Sequence, residues 1–122
     1  MKARILRVLF AMPVLLMLGA MTTFADPKGE TVTLKGEVVD LWCYLEAGDH
    51  GAEHKKCALM CANAGNPIGL VTEQGDIYVM LGMEDHQPGK DVLISKMADT
   101  VTVEGTLVKK GGTQVVYVSA VK

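Results

Sequence analysis

All three cysteines of this chain lie in one short segment, CYLEAGDHGAEHKKCALMC, which spans residues 43–61. The thiols are Cys43, Cys57 and Cys61, and the same segment contains His54. Thiolate sulfur and imidazole nitrogen are ligands that suit Zn²⁺ and Cu(I), and three cysteines with one histidine match a tetrahedral zinc site. The same thiols can also pair as a disulfide in an oxidising compartment. The segment therefore predicts either a soft-metal site or a structural disulfide.

A run of good helix formers between two glycines predicts a helix over residues 52–64. On that helix His54, Cys57 and Cys61 share one face, because they are three and four residues apart. Cys43 is predicted at the end of the first strand, from which its side chain can reach that face. These four residues are the predicted metal ligands, for Cu(I) or Zn.

A disulfide is the second use that these thiols suggest. On a regular helix the Cβ atoms of Cys57 and Cys61 lie about 5 to 6 Å apart, whereas a disulfide needs about 3.5 to 4.5 Å. Cys43 paired with either of them is geometrically easier. Closing such a loop contributes about 3 kcal/mol by restricting the unfolded chain. Either pairing leaves one thiol over, because the number of cysteines is odd.

Thiol redox chemistry and ligand binding by the rest of the domain are two further alternatives. Lys55, Lys56 and His54 would lower the pKa of Cys57 and make its thiol reactive. The chain contains no Ser-His-Asp order, phosphate loop, dinucleotide motif or covalent haem motif. The sequence thus favours a non-enzymatic domain that binds a metal ion or another exported protein.

The first 25 residues predict a cleaved secretory signal peptide. Basic residues precede an apolar stretch over residues 8–21, and Thr23 and Ala25 supply the small side chains that signal peptidase recognises. The apolar stretch is shorter than the roughly 20 residues that span a bilayer. The mature protein, starting at Asp26, is therefore expected to be periplasmic or secreted, with no membrane segment after cleavage.

The charge of the mature chain argues against nucleic acid as a partner. The predicted leader holds three of the 12 basic residues, which leaves nine Lys, no Arg and 14 acids, a net charge near −5. Nucleic-acid binding needs clustered basic charge. The mature aromatics are only Trp42, Tyr44, Tyr78 and Tyr117, too few for a base-stacking surface.

Short strands dominate the remaining pattern, which predicts a flexible lead-in over residues 26–30 and one domain over residues 31–122. The predicted order is strand, cysteine segment, strand, strand, short helix, strand and strand. Gly36 predicts a bend or bulge in the first strand, and Asp91 is the predicted N-cap of the short helix. This order is that of a five-stranded barrel.

The order resembles the oligonucleotide/oligosaccharide-binding (OB) fold, chiefly through DVLISKMADTVTVEGTLVKKGGTQVVYVSAV. The stretches GEVVDLWCYL, HKKCALMC and GNPIGL also resemble small exported bacterial proteins of uncharacterised function that carry a Cys/His insert between the first two strands. The resemblance implies a mainly β, OB-like barrel with a helical insert after strand 1 and a short helix between strands 3 and 4. It implies no activity.

Several other residues receive structural interpretations. Met60 is expected in the core, and Trp42 is expected to fill one end of the barrel. His86 is expected in a solvated loop. Surface charge is expected at Asp40, Glu46 and Asp49.

Cleavage of the leader generates the first prediction. The intact mass of the protein recovered from the periplasm should correspond to a chain that begins at or near Asp26. Mass spectrometry of the periplasmic and membrane fractions measures this directly. A chain that keeps Met1 and remains with the membranes would contradict the prediction.

Overall fold

The computed structural model describes residues 27–122, and the predicted signal peptide lies outside the described residues. The five strands are β1 (Glu30–Asp40), β2 (Ile68–Thr72), β3 (Ile77–Gly82), β4 (Thr100–Lys110) and β5 (Thr113–Val121). They form a closed barrel in the order β1-β2-β3-β5-β4, and β1 closes it by pairing with both β2 and β4. Strands β3 and β5 are parallel, and the other neighbours are antiparallel. The predicted five-stranded β-barrel is confirmed.

Three helices connect the strands: α1 (Leu41–Ala47), α2 (Lys55–Asn63) and α3 (Gly89–Leu93). A 3₁₀ turn over Ala52–His54 leads into α2, and the two together account for the predicted helix over residues 52–64. Among residues 27–122, no helix is long and apolar enough to cross a membrane. The predicted helical insert after strand 1 and the short helix between strands 3 and 4 are both confirmed.

Helix α1 corrects the prediction that Cys43 ends the first strand. The chain leaves β1 at Asp40, whose side chain accepts a hydrogen bond from the Cys43 amide at 3.0 Å and caps the helix. The helix ends at Gly48, which adopts φ 73° and donates its N–H to the Tyr44 carbonyl at 2.9 Å. An aspartate N-cap and a left-handed glycine are the usual residues for these two ends.

The barrel interior is filled by aliphatic side chains with almost no exposed surface. Val38, Leu70, Met80, Val103 and Val116 form its centre. On α2, the buried residues are alanines one turn apart, at positions 58 and 62. Their small side chains let the helix lie close to the barrel, so that the neighbouring face of α2 is held at a fixed distance from β1.

The predicted bulge at Gly36 and the predicted N-cap at Asp91 are both wrong. Gly36 pairs in register with Thr72 of β2 and Val101 of β4, where β1 passes from one neighbour to the other. Glycine is needed there because an added Cβ would lie 2.4 Å from the Val71 carbonyl oxygen. Helix α3 is preceded by Pro88 as its N-cap, so that Asp91 falls inside the first turn.

Trp42 does not fill the barrel end, since 63% of the residue is exposed. Its neighbour Leu41 takes the buried position and reaches over Gly69, where an added Cβ would lie 2.4 Å from a Leu41 methyl carbon. Consecutive helical residues are about 100° apart around the axis. Because Leu41 faces inward, Trp42 is turned toward solvent.

This difference in burial predicts different effects of truncation. Leu70→Ala should lower the free energy of unfolding by about 2 to 5 kcal/mol, because it leaves a cavity in the barrel. The control, Trp42→Ala, should change it by less than about 0.5 kcal/mol. Urea titrations followed by far-UV circular dichroism measure both. Equal losses would contradict the exposure of Trp42 to solvent.

Candidate metal centre

The cysteine segment forms two short helices that meet beside the end of β1. Cys43 lies in the first turn of α1, and the other candidate ligands lie on or just before α2. The Leu41 amide donates a hydrogen bond to the Pro67 carbonyl at 2.9 Å, which ties the start of α1 to the segment after α2. This hydrogen bond holds α1 and α2 next to each other at the end of β1.

Their side chains form one cluster. Ligand atoms of Cys43, His54 and Cys57 lie within 4.8 Å of one another, and so do those of Asp40, Cys43 and Cys61. The Sγ atoms of Cys43 and Cys61 are 3.7 Å apart. The four predicted ligands therefore gather around Cys43, close enough to hold a metal ion.

Asp40 belongs to the same cluster, although the sequence predicted it as surface charge. It has no exposed surface, because it lies beneath both helices at the point where β1 ends. Its Oδ1 accepts from the Cys43 amide, and its Oδ2 lies 3.3 Å from His54 Nε2. The sequence signal for this role is an aspartate three residues before Cys43, with Gly48 closing a short helix.

Burial controls the protonation of the thiols. It is the main cause that raises the pKa of Cys43 to about 12, and hydrogen bonding to Cys61 and Asp40 adds to the effect. Burial also raises the pKa of Cys57, with Cys61 as the second cause. A neutral thiol is favoured in each case, because a thiolate here would lose hydration and face other negative groups.

The expectation that Cys57 has a lowered pKa is therefore wrong. Lys55 forms an ion pair with Asp99 at 3.0 Å, and Lys56 is exposed. Neither the lysines nor His54 offsets the desolvation of the Cys57 thiol. A raised pKa argues against Cys57 as the reactive thiolate that the thiol redox alternative needs.

The other two histidines lie outside the cluster. His50 Nδ1 is 3.0 Å from Glu37 Oε2, and its ring meets Tyr44 edge-on with centroids 6.0 Å apart. His86 is in an exposed loop next to Asp85, as predicted.

Of the remaining predictions for single residues, two are confirmed and one is wrong. Glu46 and Asp49 are exposed, as expected for surface charge. Met60 is not a core residue, because 60% of it is exposed. It follows Ala58 on α2 by two positions, which turns it away from the face that packs on the barrel.

An open cleft of about 760 Å³ lies along β1 and β2, and Glu37, Tyr44 and His50 are among its lining residues. The Glu37 carboxylate is already bound there, since it accepts from the Gly51 amide and pairs with His50. The cleft is separate from the cysteine cluster, since none of the four predicted ligands lines it.

Comparison with known proteins adds no assignment, since no family model, curated protein or solved structure matches this chain.

The raised pKa of Cys43 gives a direct test of the cluster. Alkylation of this thiol by iodoacetamide in the reduced, metal-free protein should rise about tenfold per pH unit between pH 7 and 10, because only the thiolate reacts. In urea the same rate should level off as the pH passes the ordinary value of 9.0. Peptide mass spectrometry separates the three cysteines. A plateau near pH 9 in the folded protein would contradict the raised pKa of this thiol.

Proposed function

We propose that this protein is an exported domain that binds one soft metal ion, Zn²⁺ or Cu(I). The ligands are Cys43, His54, Cys57 and Cys61. The observation that carries the proposal is the convergence of Cys43 from α1 with His54 and Cys57 within 4.8 Å. The ligands come from two separate helices, which gives the site a fixed shape that a single helix face would lack.

The spacing of the thiols supports this proposal. In a tetrahedral site with Zn–S bonds of about 2.3 Å, two thiolate sulfurs lie about 3.8 Å apart. The Sγ atoms of Cys43 and Cys61 are separated by 3.7 Å. A metal ion could therefore join them with little movement of either helix.

The electrostatics of the cluster point in the same direction. The pKa of Cys43 is raised because a thiolate there is desolvated and lies beside Cys61 and Asp40. A bound cation would lower the pKa of the thiol again, because its charge favours the thiolate and the thiol proton is released. Three half-buried thiols beside a buried carboxylate thus form an arrangement that a cation would stabilise.

A disulfide between Cys43 and Cys61 is the second candidate, favoured over a Cys43–Cys57 bond by the 3.7 Å between the sulfurs. The two residues are 18 positions apart. Closing a loop of that length contributes about 3 kcal/mol to stability. In this case the domain is an exported structural or interaction module, and Cys57 is the remaining thiol.

Metal titration of the reduced protein distinguishes the two candidates. We expect one Zn²⁺ or Cu(I) per chain, with an affinity that falls as the pH is lowered because protons compete for the ligands. Substituting a ligand thiol should weaken binding by more than the loss of about 10- to 100-fold that follows removal of a group that only supports a ligand. The three variants are Cys43→Ser, Cys57→Ser and Cys61→Ser. His54→Ala should weaken Cu(I) binding less, since thiolates alone can hold that ion.

His86→Ala is the matched control, because this histidine is exposed and lies outside the cluster. It should leave the affinity unchanged. A metal content near zero in fully reduced wild-type protein would rule out the metal site. In that case, Cys43→Ser and Cys61→Ser should each lower the stability of the oxidised protein by about 2 to 5 kcal/mol, while Cys57→Ser is nearly neutral.

A further inference from the structure

Asp40 is the only buried charged residue among residues 27–122. A buried carboxylate is costly unless its oxygens have hydrogen-bond donors. Both oxygens of Asp40 have one: Oδ1 accepts from the Cys43 amide at 3.0 Å, and Oδ2 lies 3.3 Å from His54 Nε2. Each of the two partners belongs to a residue that supplies a candidate metal ligand.

The contact with His54 determines which ring nitrogen is free. A neutral imidazole carries one N–H and one lone pair, whereas a carboxylate oxygen accepts a hydrogen bond. A neutral His54 ring therefore satisfies an ionised Asp40 only if Nε2 is the protonated nitrogen. The lone pair is left on Nδ1, which is the nitrogen available to a metal ion. Carboxylates that hold ligating histidines in this way commonly strengthen metal binding.

We propose that Asp40 is a positioning residue of the metal centre, which fixes His54 as the Nε2–H tautomer and presents Nδ1 as the ligand. This inference rests on the metal-binding function proposed above. Through Oδ1 the same carboxylate caps α1 and sets the position of the Cys43 backbone. One buried side chain thus orients one ligand on each side of the cluster.

Direct ligation by Asp40 is the competing arrangement, since a carboxylate oxygen also lies within 4.8 Å of the Cys43 and Cys61 sulfurs. The hydrogen bonds argue against it. A metal bond to either oxygen would compete with the cap of α1 or with the His54 contact.

The tautomer can be measured without any metal. We expect ¹⁵N NMR of the imidazoles in reduced, metal-free protein to show His54 protonated on Nε2. The Nδ1–H tautomer would overturn the proposal. Since this measurement involves no metal, it tests whether Asp40 fixes the tautomer independently of the proposed function, which failure to bind both Zn²⁺ and Cu(I) would contradict.

Asp40→Asn is the informative variant, because asparagine is also a good N-cap. If its oxygen caps α1, its amide NH₂ faces His54 Nε2 as a donor and favours the wrong tautomer. Zn²⁺ affinity, measured by competition with a chelating indicator, should fall about 10- to 100-fold. In a His54→Ala background the same substitution should change affinity less than about twofold, since the two residues then no longer interact.

The outcomes separate the possible roles. An equal loss of Zn²⁺ affinity in the wild-type and His54→Ala backgrounds would show that Asp40 is itself a ligand or supports the fold generally. That result would overturn the proposal. An unchanged affinity in both backgrounds would overturn it as well. Asp40→Ser keeps the cap without reaching His54, and should reproduce the His54-dependent loss if Asp40→Asn folds poorly. Glu37→Gln is the matched control, because Glu37 holds His50 outside the cluster and should not affect Zn²⁺ binding.

Discussion

The burial of the Asp40 carboxylate is the constraint on which the arrangement of the cysteine segment depends. Asp40 is the last residue of β1, so its backbone is fixed by the barrel, where it pairs with Ile68 of β2. Its side chain must find donors because it has no exposed surface. The nearest donors are the amide of Cys43 and the ring of His54. Satisfying one carboxylate therefore begins α1 and holds the residue before α2 beside it.

The barrel gives this contact its rigidity. The end of β1 pairs with β2 on one side, and on the other side the Val38 backbone bonds to the Asp99 carbonyl and the Ala98 amide, so the strand end has little freedom to move. Ala58 and Ala62 hold α2 against the core, and the Leu41 side chain covers Gly69 on β2. The insert is thus packed onto the barrel by small apolar contacts, while Asp40 and Glu37 of β1 each make two polar contacts with it. The thiols lie at the edge of that packing, which explains why they are half-buried.

The sequence predicted the parts of this structure that depend on local periodicity. The strand order follows from alternation and glycine turns, and the common face of His54, Cys57 and Cys61 follows from helical spacing. Helix α1 was missed because seven residues are too few for a periodic signal and the apolar pattern of β1 continues into them. The burial of Asp40 depends on a partner 14 residues away, His54, and aspartate is usually exposed. Trp42 and Met60 were assigned to the core because an apolar residue type does not show which face of a helix is covered.

Cys43 links the two chemical states open to the cluster. It belongs to both groups of converging ligands, and it is also the cysteine whose sulfur lies 3.7 Å from that of Cys61. A Cys43–Cys61 disulfide would consume two of the four proposed ligands, leaving His54 and Cys57, so that a filled metal site and this disulfide exclude each other. A bound metal would in turn withdraw both sulfurs from oxidation. The state of the domain in an oxidising compartment would then depend on whether metal or oxidant reaches the thiols first.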